Sequence, residues 1–61
     1  MSNIDRYIAA REAFKANVEA RLRIKWGAGD PAGLPALEAQ RPILGLALSA
    51  AYWDVMNPEA A

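Results

Sequence analysis

Residues 43–53 read Ile43-Leu44-Gly45-Leu46-Ala47-Leu48-Ser49-Ala50-Ala51-Tyr52-Trp53, with one weakly polar residue, Ser49, and no charge. A helix on a protein surface keeps a polar side for water, and this segment has none. As helix it spans roughly 16 Å, at about 1.5 Å per residue. A bilayer core takes about 20 residues. The run therefore reads as buried in protein rather than as a membrane span, and it must be covered on more than one side.

The rest of the chain supplies little cover. It has 61 residues, enough for a single domain over 1–61 and no more. A chain of this size buries only about 60% of the surface it exposes when unfolded. Small domains are usually completed by disulfides, a metal or another chain. With neither Cys nor His in the sequence, disulfides, thiolate sites and a structural zinc site are all set aside. The acids are scattered singly, so no metal or other cofactor is expected. By elimination the missing cover is expected to be protein: a partner or further copies of the same chain.

The formal net charge is zero, so the chain as a whole is not drawn to nucleic acid or anionic lipid. Its apolar fraction of 54% argues against disorder. Absent cysteine fits a reducing compartment, and charge from Asp5 onward gives the N-terminus no resemblance to a secretion signal. A soluble protein of the cytoplasm, or a virion component, is expected.

Working outward from the apolar run, the segment from about residue 3 to 26 is free of Pro and Gly and rich in good helix formers. Ser2 or Asn3 can cap it, Arg21, Arg23 and Lys25 suit the negative end of its dipole, and Gly27 supplies a left-handed stop. The loop 27–35 (GAGDPAGLP) has strong turn chemistry, with Asp30 as a turn or cap residue. A short turn over 35–40 follows. Pro42 disfavours helix at Arg41 and suits the first turn of a new one, so a kink or break is expected near Pro42, with the main second helix over about 42–56. The fold class is all-α: an antiparallel helical hairpin with a long first helix and an interrupted second one, completed by oligomerisation or docking.

At 100° per residue, Ile4, Tyr7, Ile8, Phe14, Val18, Leu22 and Trp26 form the expected core stripe of the first helix. Ala9, Ala13, Ala16 and Ala20 make a row of small residues that Ile24 extends. In the second helix Leu37, Leu44, Leu48, Tyr52 and Val55 form one stripe. Ile43, Leu46, Ala47, Ala50 and Trp53 cover much of the opposite side, and Gly45 and Ser49 leave a notch of small residues. One helix can shield only one of these sides. The residues Ile43, Leu46, Ala47, Ala50 and Trp53 are therefore the expected protein interface. Burying Ile43, Leu46 and Trp53 is worth roughly 1.5–3 kcal/mol each, together comparable to the whole stability of so small a domain, about 3–5 kcal/mol.

Chemistry is thinly represented. Arg11 and Arg41 fall inside apolar stripes, where a guanidinium either pairs with an acid or an anion or extends its stem along the surface to water. Arg21, Arg23 and Lys25, ending in Trp26, offer charge beside a stacking group, a weak nucleic-acid signal. The Gly-rich loop follows a helix rather than a strand, so it is a connector and not a phosphate cradle. Ser49 has no base at helical spacing, and no catalytic residues are assigned. The expectation is a non-catalytic interaction module, serving as a small structural or accessory subunit of a larger assembly such as a multisubunit enzyme or a virion. Two alternatives stand beside it: a small regulator or inhibitor, of the size some phages encode, acting as a homodimer, and a weakly nucleic-acid-binding homodimer.

Overall fold

The computed structural model describes residues 2–58. It contains α1 (Asn3–Lys25), one 3-10 turn (Pro31–Gly33) and α2 (Leu34–Met56), with no strand among the described residues. The two helices pack along their length into a rod of 45 × 16 × 15 Å.

Local chemistry sets each boundary. The Ser2 hydroxyl accepts from the Asp5 backbone N–H at 3.1 Å and starts α1. At the far end the Gly27 N–H donates to the Ile24 carbonyl at 3.0 Å and the Ala28 N–H to that of Arg23 at 2.8 Å. This pair of bonds defines a Schellman stop. It needs the left-handed backbone that Gly27 adopts at φ 82°. The chain then turns on Asp30, whose Oδ1 accepts from the Ala32 N–H at 3.0 Å while Pro31 presets the first residue of the turn. Pro35 lies in the opening turn of α2, where its missing N–H costs nothing.

The break expected at Arg41–Pro42 does not occur. Helix α2 runs through Pro42 from Leu34 to Met56, so the short turn over 35–40 is its first part. Pro42 removes the donor that would serve the Glu38 carbonyl, at a cost of about 3 kcal/mol in a helix interior. Continuity keeps Leu34 and Leu37, before the proline, in phase with Leu44, Leu48, Ala51 and Val55 after it. All six are buried or half-buried. A break would turn one group away from α1.

Contacts between the helices run antiparallel. Asn3 Nδ2 donates to the Asp54 carbonyl at 3.3 Å, and Arg6 pairs with the Asp54 carboxylate at 3.3 Å. The Tyr7 and Tyr52 rings lie 5.9 Å apart, tilted by 52°. Phe14 packs against Gly45. Asn17 Nδ2 donates to the Leu37 carbonyl at 2.9 Å, and Arg21 lies 4.0 Å from Glu38. On α1 the seam is thus Asn3, Tyr7, Ala10, Phe14, Asn17, Arg21 and Ile24. The spacing alternates four and three, as in a coiled coil.

This seam corrects the expected core stripe of α1. Tyr7, Phe14 and Val18 are half-buried, but Ile4, Ile8, Leu22 and Trp26 are exposed. The helix is rotated so that polar residues enter the seam. Asn17 is 4% exposed and uses both ends of its amide, with Oδ1 accepting from Arg21 Nε at 2.8 Å. Ile24, the large residue at the end of the alanine row, is covered by the loop. A Cβ added to Gly29 would stand 2.7 Å from Ile24 Cγ1.

Candidate protein interface

Among the described residues, Ala51 is the one apolar residue that is buried, and no large side chain is fully buried. The seam is one layer thick, and two rods in contact along a line leave most of each rod wet. The hairpin exposes 4553 Å². A compact monomer of 6.6 kDa exposes about 3,900 Å² on the usual size scaling.

Several of the exposed large apolar residues lie on α2. Measured around that helix, Leu46 and Trp53 point away from α1, and Ile43 and Ala50 flank them at the rims of grooves shared with α1. Ile43 is 66% exposed, Leu46 73% and Trp53 61%. Ala36 and Ala39 continue the same line toward the start of the helix, and both are exposed. The line Ala36, Ala39, Ile43, Leu46, Ala50, Trp53 has strict three–four spacing. Helix α2 therefore carries two apolar seams on opposite sides, one filled by α1 and one open. Ala47 lies off the open seam, on a flank. With Arg6, Ala10, Ala50, Ala51 and Asp54 it lines a shallow groove between the helices.

A second apolar area sits at the open end of the hairpin, where Ile4 and Ile8 of α1 stand beside Tyr52 and Met56 of α2, all exposed. Trp26 is exposed at the other end, in a small groove with Glu19, Leu22, Arg23 and Ala28.

The basic residues divide into two groups. Arg21 is engaged inside the hairpin through Asn17 and Glu38, its side chain 13% exposed. Arg11, Arg23, Lys25 and Arg41 are exposed. For Arg11 and Arg41, which share faces with apolar residues, the guanidinium reaches water. Among the described residues no group of three or more potential ligands gathers for a metal, and no helix is long and apolar enough to cross a membrane.

The polar link Leu37–Asn17–Arg21–Glu38, buried at Asn17 and open to solvent at Glu38, does not follow from the apolar pattern of the sequence. Its signal is the four–three spacing of the α1 seam, read with asparagine as a polar layer. Comparison with protein-family models, with curated proteins and with solved structures finds no match.

Proposed function

We propose that this chain is a non-catalytic interaction module, a structural or accessory subunit that completes its fold by packing another protein chain against the outer face of α2. The observation that carries this reading is the open seam. Six residues at coiled-coil spacing, three of them large and apolar, run along the outer side of α2. Exposed apolar surface on this scale marks interaction sites in soluble proteins. The seam lies on a long helix whose other side is held by α1, so it is presented as a preorganised ridge. That geometry fits a helix of another chain laid along the ridge, the first contact from which a larger assembly, such as a multisubunit enzyme or a virion, is built.

The test is light scattering on the purified chain, combined with a thermal melt. A module of this kind associates, or as a monomer shows a broad, shallow transition and binds an apolar dye. Mutating Leu46→Glu relieves association and dye binding together. A dilute monomer that unfolds sharply and ignores the dye would overturn the reading.

A further inference from the structure

Resting on that reading, we infer that the occupant of the open seam is a second copy of the chain, packed antiparallel so that α2 meets α2 about a two-fold axis near Leu44–Gly45. Three observations point to this occupant.

The first is shape. The seam begins with alanine at one end (Ala36, Ala39) and finishes with tryptophan at the other (Trp53), with Ile43 and Leu46 at its middle. Its midpoint falls between Leu44 and Gly45, so an antiparallel partner overlaps the whole of it. Each layer then has a defined composition: Ala36 against the other copy's Trp53, Ala39 against its Ala50, Ile43 against its Leu46. Trp53, the bulkiest residue, meets an alanine, and the Ala39–Ala50 layer beside it lets the two backbones approach closely. A parallel pair would set Trp53 on Trp53 at one end and leave only alanines in contact at the other.

The second is charge. From Pro42 to Trp53, α2 has no acidic or basic side chain. Asp54, just beyond, pairs with Arg6 of α1. Glu38 and Arg41, nearer the start of the seam, fall in this register at the levels of Ala51 and Leu48 of the other copy, so a self-contact along α2 opposes no like charges, the usual obstacle to isologous pairing.

The third is area. The surplus over a compact monomer of this mass is about 700 Å² per copy. Stable protein interfaces bury about 800 Å² per partner. A contact of that size along the open seam would cover each α2 on both sides, by its own α1 and by the α2 of the other copy.

Sedimentation equilibrium and directed disulfide formation test the pairing. The native chain is expected to sediment as a dimer, and Leu46→Glu to raise the dissociation constant about a hundredfold or more, since it removes a Leu contact from each copy. The double variant Ala39→Cys/Ala50→Cys is expected to form covalent dimers on mild oxidation, while each single variant is not. In one helix those positions lie about 16 Å apart, too far to close within a chain. Dimers linked by either single variant, a dimer indifferent to Leu46→Glu, or a native chain that stays monomeric would each overturn the pairing. Of these, a monomer with a broad melt leaves the docking reading standing and assigns the seam to a different protein. A monomer with a sharp melt overturns both.

Discussion

Asn17 is the residue on which the alignment of the two helices turns. It is the one buried polar group among the described residues, and both ends of its amide are occupied. A single buried asparagine in an apolar seam is a known way to fix register at some cost in stability. Asn17→Ala leaves Arg21 Nε without its acceptor, and we expect a loss of about 1–3 kcal/mol. For a domain of this size each kcal/mol lowers the melting midpoint by about 4–8 °C, so thermal circular dichroism reads the effect directly. The exposed pair of Arg6 and Asp54 is a useful contrast, because surface pairs contribute about 0–1 kcal/mol. Two glycines make a second comparison. Gly29→Ala drives a Cβ into Ile24 and should cost about 1–3 kcal/mol by overpacking. Gly33→Ala enters open space at a helical φ of −82° and should be neutral or stabilising by about 0.4–1 kcal/mol. Urea midpoints for the two variants that fail to separate would show that the loop does not pack on Ile24 as described.

At the level of the helices, both ends of α1 and the end of α2 were legible in the sequence; the start of α2, at Leu34 rather than near Pro42, and the rotation were not. Ser2, Gly27, Asp30 and Pro31 act through bonds to neighbours two to five residues away, so their roles follow from local chemistry. Which face of α1 meets α2 is a contest between faces, and counting apolar residues chose Ile4, Ile8, Leu22 and Trp26. The winning face includes Asn3, Asn17 and Arg21, whose hydrogen bonds across or along the seam have no weight on a hydrophobicity wheel. The break expected at Pro42 is absent for a related reason. Local preference breaks the helix there, but tertiary packing on both sides of the proline holds it together. Replacing it tests this directly. Pro42→Ala restores the N–H opposite the Glu38 carbonyl and should stabilise α2 by up to about 3 kcal/mol, with the helical signal unchanged or slightly higher. A fall in stability would mean that the proline's geometry is required by the pairing with α1. The outer face of α2 was legible because it needs no knowledge of rotation: a run without charge for eleven residues has an apolar back wherever its front points.

For the molecule as a whole, the decisive quantity is the cover the hairpin lacks. With one layer of contact and no fully buried large side chain among the described residues, the isolated hairpin has little to set against the entropy of ordering its chain. Trp53 and Trp26 report on this separately. Both are exposed in the hairpin, at 61% and 78%, but Trp53 alone lies on the open seam. With Trp26→Phe removing the second signal, Trp53 emission should shift to the blue as the chain associates and return to the red in Leu46→Glu. With Trp53→Phe, the remaining Trp26 emission should not move.

The most direct measurement is the thermal unfolding of the chain at a dilution where sedimentation shows it to be monomeric. A hairpin that depends on cover for the outer face of α2 will unfold there over a broad range with a low midpoint, and the transition will sharpen and rise as that face is occupied. A sharp transition with the same midpoint at every concentration, from a chain that remains monomeric throughout, would show that the two helices suffice and that the open seam needs no partner.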